Sequence, residues 1–149
     1  MSIMEDEEAL ALKLFTVIAR TYNSLMEIDK RDIRRYGLNQ TEFGVLELLY
    51  HKNSLPLQQI GEKILITSGS ITYVINKLES KELISREVCI EDRRIVYATL
   101  TAKGTALLNR IFPEHAKVLE TSLRGLTSEE KKVAIDLIKK VGMYAKKGI

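Results

Sequence analysis

Asp92, Arg93 and Arg94 stand in a row between two short apolar runs, SREVCI and IVYATL. An arginine fork carries five N–H donors and grips a carboxylate or a phosphate with two parallel hydrogen bonds. A turn between paired strands ordinarily uses Gly, Asn or Pro. Charge at this turn suits an anionic partner, with a surface salt bridge in a tight turn as the alternative reading. A second set of suited residues lies upstream in SGSITYVINK: Ser68, Ser70, Thr72, Tyr73, Asn76 and Lys77. Hydroxyls and an amide can meet base edges or phosphates, and a lysine can reach a phosphate. Gly69 would let the backbone approach closely.

These residues need elements to hold them. Residues 7 to 35 read as one long helix with two apolar stripes. One holds Leu10, Leu14, Val17, Ile18, Leu25 and Ile28; the other holds Leu12, Phe15, Ala19, Tyr22, Met26 and Ile33. A helix that covers only its own core needs one stripe. The second predicts a further partner, a second subunit, with burial inside the monomer as the alternative. Gly37 is a natural C-terminal cap. Asn39 with Glu42 reads as a capping-box pair opening a helix, and Leu38 with Phe43 as its hydrophobic staple.

After Pro56 come two short helices, over about 57 to 64 and 68 to 81, with almost no room between them. Ile60, Ile64, Ile71, Val74, Ile75 and Leu78 form their shared inner face, and Thr67 or Ser68 caps the second. Two helices joined this tightly read as a helix-turn-helix. SREVCI and IVYATL then pair as a hairpin with residues 91 to 94 at its tip. Thr101 caps the next helix, which runs to about Leu123 with Pro113 as a point of kinking. Thr127 and Glu130 form another capping box, opening a last helix whose terminal lysines complement its dipole.

The 149 residues carry a formal net charge of +3 and a sequence pI near 8.9. That balance allows an anionic partner without requiring one. No run of about 18 apolar residues occurs, so no membrane span is expected. The acidic start MSIMEDEEAL lacks a basic n-region, so a cytoplasmic location is expected. One cysteine, Cys89, excludes an internal disulfide framework. With only His51 and His115 beside it, the usual structural zinc site cannot form within one chain. No metal or cofactor is expected. There is no G-x-S-x-G, P-loop, H-E-x-x-H or dinucleotide-binding glycine pattern, so no enzyme is expected.

A helix-turn-helix followed by a charged hairpin is a winged helix, and here the sequence resembles the MarR family of transcriptional regulators over essentially its whole length. Asp92-Arg93-Arg94, then five residues, then Leu100-Thr101 and Gly104 match the family's D-x-R and L-T-x-x-G pattern. GLNQTEFGVLELL, LQQIGEKI and VINKLESKELISR match in order and at the expected spacing. L-T-x-x-G alone occurs by chance; the order of all the pieces carries the specificity.

The resemblance implies a mainly α fold: a winged helix-turn-helix with a two-stranded β-wing and long terminal dimerisation helices. Within the single 1–149 chain, 38–104 would be the DNA-binding lobe, and 1–37 with 105–149 the helical dimerisation lobe. It implies a homodimer that binds double-stranded DNA at a pseudo-palindromic operator, acting as a repressor released by a small aromatic ligand. Arg94 becomes the wing arginine entering the minor groove, which is narrow and electronegative over A·T runs. Asp92 would hold its fork, and Arg93 would touch phosphate.

The implied ligand pocket lies between the lobes, with Tyr22, Met26, Phe43, Tyr50, His51, Phe112 and His115 as candidates to line it; plain core packing is the alternative for each. DIRRYGLNQTEFGVLELLYHK and PLQQIGEK look closest to members answering quinones or other aromatic compounds, so a phenolic or quinone-like effector is expected. Two positions depart from the family. Glu82 stands where a glycine usually precedes the leucine, and Leu65 stands at a turn that is often glycine. Glu82 must tolerate a left-handed conformation or end its helix differently. Two other readings remain open: redox sensing through Cys89, although family sensors place that cysteine in the first helix, and a winged helix that binds only protein. Salt-dependent DNA binding would separate the last.

Overall fold

Side-chain caps set several of the helix ends. The structure, a computed structural model, describes residues 3–64 and 68–148. In order these form α1 (Ile3–Arg34), α2 (Gln40–Lys52), β1 (Ser54–Pro56), α3 (Leu57–Lys63), α4 (Ser68–Ser80), β2 (Ile84–Val88), β3 (Val96–Leu100), α5 (Ala102–Ser122) and α6 (Ser128–Gly148). The Glu42 backbone N–H donates to Asn39 Oδ1 at 2.8 Å, and the Asn39 N–H donates back to Glu42 Oε1 at 3.1 Å. This is the capping box the sequence predicts, and it satisfies two of the four donors a helix start leaves bare. Thr101 caps α5 through the Gly104 N–H, and Thr127 with Glu130 boxes off α6. The expected Thr67 or Ser68 cap and the Leu65 turn fall outside the described residues and side chains. α5 continues through Pro113 as one helix.

The expected two-stranded wing is a three-stranded antiparallel sheet in the order β1-β3-β2. β2 pairs with β3 from Ile84↔Leu100 to Val88↔Val96, and β1 takes the other side of β3 from Ser54↔Thr99 to Pro56↔Tyr97. Sequence reasoning missed β1 because three residues cannot show an alternation, and proline reads as a break. An edge strand is where a proline is tolerated, since it has no N–H to offer a ladder.

One apolar cluster joins the helix-turn-helix to the long helices. It includes Ile33 of α1, Val45, Leu46 and Leu49 of α2, Ile60 of α3, Ile75 and Leu78 of α4, Ala98 of β3, and Leu108 and Ile111 of α5. Burying each such large side chain is worth about 1.5–3 kcal/mol. The first half of α1 and most of α6 lie outside this core. Leu10, Leu12, Leu14, Phe15 and Val17 on α1 are exposed, as are Val133, Ile135, Leu137, Ile138 and Tyr144 on α6. Between the two helices runs an apolar groove of about 790 Å³, lined by Leu14, Val17, Ile18, Tyr22, Leu137, Ile138 and Val141 among others.

Candidate nucleic-acid interface

α4 is divided sharply by burial. Ile71, Val74, Ile75 and Leu78 sit at 8% exposure or less. Ser70, Thr72, Tyr73 and Asn76 occupy the opposite face and are exposed, Tyr73 at 69%. An α-helix with one greasy face and a face of short hydrogen-bonding groups fits the major groove, about 12 Å wide. Ser68 begins α4, but its side chain is not among those described. Lys77 is half-buried and less free than its sequence position suggests. Its Nζ lies 3.7 Å from Glu42 Oε1, and Lys81 Nζ lies 2.9 Å from Glu42 Oε2.

Glu42 is the pin beneath α4. Its side chain is 2% exposed. Burial would push its carboxyl up, but the Lys81 hydrogen bond, the Asn39 N–H and both lysine charges hold it below the usual carboxylate range. Sequence reasoning gave Glu42 only a capping role. Lys77 and Lys81, one turn apart on α4, were the available sign of an acidic partner.

The end of α4 is fixed to the wing through Glu82 and Leu83. Glu82 takes φ +63°, so it adopts the left-handed conformation that its position demands without glycine. The Leu83 N–H donates to Leu78 O at 3.0 Å and the Glu82 N–H to Glu79 O at 2.9 Å, the paired bonds of a Schellman motif. The Leu83 carbonyl then accepts the Thr101 N–H at 3.1 Å. A Cβ placed on Gly104 would land on that same carbonyl oxygen, well inside van der Waals contact. The glycine of the L-T-x-x-G pattern is thus a close-approach glycine.

At the wing tip Asp92 and Arg94 form the predicted fork. Arg94 Nε donates to Asp92 Oδ1 and its terminal nitrogen to Asp92 Oδ2, each at 3.0 Å, and the Arg94 backbone N–H adds a third bond. Side-chain and backbone hydrogen bonds from Arg94 hold the Asp92 carboxyl below the usual range. The guanidinium remains 89% exposed, so it is aimed but uncovered. Arg93 is exposed, and Ile90, in the same loop, is 95% exposed. Arg86 is turned away from the tip and grips Glu79 of α4 at 2.9 and 3.3 Å. Cys89 is half-buried, one residue past β2.

Among the described residues, those proposed to line a ligand pocket fall into separate groups of contacts. Tyr50, His51 and Phe112 form an aromatic cluster with ring centroids 5.3–5.8 Å apart, and Asn109 accepts the Tyr50 hydroxyl. Tyr22 faces the α1–α6 groove. Met26 lies against Gln40. Phe43 is in the core, 4.7 Å from the His115 ring, and His115 is itself buried. Both of its ring nitrogens face aspartates, a constellation that sequence reasoning missed.

A helix-turn-helix backed by a buried face, with an arginine-tipped hairpin beside it, defines a winged-helix nucleic-acid reader. The MarR family pattern matches residues 38–96. The chain is 51% identical to the HTH-type transcriptional regulator MhqR of Bacillus subtilis over 91% of its length and 94% of that protein. The chain belongs to the MarR family of DNA-binding transcriptional regulators. Its fold is shared with the Streptomyces coelicolor MarR regulator Sco3205 in complex with DNA: TM-score 0.81, 22% identity, covering 90% of this chain and 86% of that one. It is also shared with Bordetella bronchiseptica BpsR, whose DNA binding is regulated by 6-hydroxynicotinic acid: TM-score 0.77, 24% identity, covering 87% and 98%. Among the described residues no helix is long and apolar enough to cross a membrane.

Proposed function

We infer that this chain is a repressor that binds a pseudo-palindromic operator as a two-fold dimer and is released by a small aromatic ligand. The observation that carries the DNA reading is the polar, exposed face of α4 set against its buried face. Ser70, Thr72, Tyr73 and Asn76 are the base- and phosphate-contacting set, with Ser68 at the helix start and Lys77 on phosphate. Arg94, aimed by Asp92, enters the adjacent minor groove, and Arg93 meets the backbone. Residues 38–104 act as the reading lobe, and 1–37 with 105–149 as the pairing lobe. The uncovered stripes on α1 and α6 support the dimer, because contiguous apolar surface of that extent marks an interaction site. The Tyr50–His51–Phe112 cluster, near the meeting of α2 and α5, supports an aromatic effector such as a phenol or quinone.

Binding-site selection from random duplexes tests the reading. The expected product is a pseudo-palindrome with half-sites roughly 34–36 Å apart. Affinity should fall steeply with salt. A chain that retains no duplex at low salt sinks the DNA reading. Phenolic compounds should then release the selected duplex from both the wild type and Cys89→Ser. Release by oxidants alone, and only from the wild type, would make Cys89 the sensor and end the pocket reading.

A further inference from the structure

The winged lobe confines its exposed apolar surface to the two elements that face DNA. Among the described side chains of residues 38–104, the large apolar ones left exposed are Tyr73 on α4, and Val88 and Ile90 on the hairpin. Tyr73 belongs to the polar face of α4 already described. Ile90 is 95% exposed, the highest value of any large apolar side chain described. A single exposed isoleucine is ordinary on a protein surface. This one stands at the tip of the wing, where the next four residues, Glu91 to Arg94, are all charged. Two carboxylates there oppose two guanidiniums. Charge alone gives such a tip little net pull on an anionic groove, and an apolar contact supplies hold that charge does not.

The loop that carries Ile90 is built to keep its shape. The Cys89 N–H donates to Ile95 O at 2.9 Å, and the Ile95 N–H donates to Asp92 O at 3.0 Å. Asp92 also accepts the three bonds from Arg94. The backbone is thus tied on both sides of Ile90. A β-branched side chain is stiff at χ1. Little conformational freedom remains to be lost on contact, so more of the burial energy appears as affinity. The surface that continues from Ile90 is the one assigned to DNA: Arg94, 89% exposed, is in the same loop and aimed by Asp92. An arginine is drawn into a narrow minor groove. An apolar side chain carried in with it meets base steps, and aliphatic wedges part such steps from the minor-groove side.

We propose that Ile90 is a specificity-determining residue of the wing: an apolar wedge that enters the minor groove with Arg94 and lodges at a base step that unstacks easily. Pyrimidine–purine steps, TA and CA/TG, yield most readily. The operator then carries such a step flanking each half-site, and Ile90 reads it through the ease of deformation rather than through hydrogen bonds.

Two selections from random duplexes, one with wild type and one with Ile90→Ala, provide the test. Wild type should return a pyrimidine–purine step flanking each half-site, and Ile90→Ala should return that flank at random. On the wild-type duplex, Ile90→Ala should bind about 4- to 60-fold more weakly, since each buried methylene is worth roughly fourfold. The dependence of affinity on salt should keep its slope, because the side chain neutralises no phosphate. Ile90→Leu should stay within about threefold of wild type, since leucine also serves as a wedge. Ile90 is almost wholly exposed, so the melting midpoints of all three proteins should coincide. An Ile90→Ala affinity within about twofold of wild type overturns the proposal and leaves the side chain to a protein partner. A wild-type selection with no preferred flank overturns it too, as does a loss equally large when the flanking step is replaced by a stiff A-tract. So does Ile90→Leu as weak as Ile90→Ala, or a loss that follows a fall in melting midpoint. The proposal rests on DNA binding by the winged lobe: a wild type that binds no duplex overturns both readings, and equal binding by wild type and Ile90→Ala overturns the wedge alone.

Discussion

At the scale of single residues, the charged groups do unequal work. Arg94 is uncovered and aimed, so Arg94→Ala should cost specific binding about 1–3 kcal/mol, the worth of a good bidentate contact. Circular dichroism should be unchanged. Operator affinity equal to wild type would remove the wing role assigned to it. Lys77→Ala should weaken all sequences alike and lower the salt slope by about one; a sequence-selective loss would place Lys77 on a base instead. Glu42→Gln removes the anion under α4. Its lysine partners are 42% and 36% exposed and can regain water, so the cost should be about 1–3 kcal/mol rather than the larger penalty of a sealed pair. Because the Glu42 carboxyl is held below its unfolded value, its contribution is present above that value and is lost as pH falls through the folded one. Urea melts of wild type and Glu42→Gln should therefore converge in acid; a constant gap would refute this. The Asp92–Arg94 pair was legible because its members are two residues apart. His115 and Asp32 are separated by 83 residues, and no local signal could pair them.

At the scale of elements, the caps and the apolar periods were readable because each lies within one turn of the chain. The Asn39–Glu42 box and the inner face of α3 and α4 follow from spacing alone. β1 was not readable, since its strand character comes from β3, a partner more than forty residues later. The junction after α4 needed both kinds of information. Glu82→Gly should stabilise the chain by about 0.5–1 kcal/mol, because a non-glycine residue in the left-handed region costs roughly 1–2 kcal/mol and glycine's greater unfolded entropy returns part of that. The exposed Glu82–Lys103 contact at 3.5 Å is worth little against this. A lower melting temperature for Glu82→Gly would contradict it. Gly104→Ala should go the other way, losing about 1–3 kcal/mol as α5 is forced off the Leu83 carbonyl. Unchanged denaturant midpoints would show that the junction yields more easily than its geometry says.

At the scale of the whole molecule, the two ends of the chain carry apolar surface that the monomer leaves wet. Phe15→Glu or Leu137→Glu should convert the proposed dimer to a folded monomer in sedimentation, with helical content kept. A dimer in both variants would move the interface elsewhere. Pairing of this kind matters to reading DNA only if the lobes are stiff, and Leu83 makes them so. Its N–H closes the end of α4, its carbonyl receives the N–H of the α5 cap Thr101, and its neighbour Ile84 starts the wing. Three elements are thus bolted to one residue. In the proposed dimer, a torque along α5 would pass through this junction to α4 and the hairpin, and would move the reading head as one lever arm. On the proposed reading, a signal delivered among the long helices would be read at the DNA as a change of span between two heads, with the shape of each head preserved.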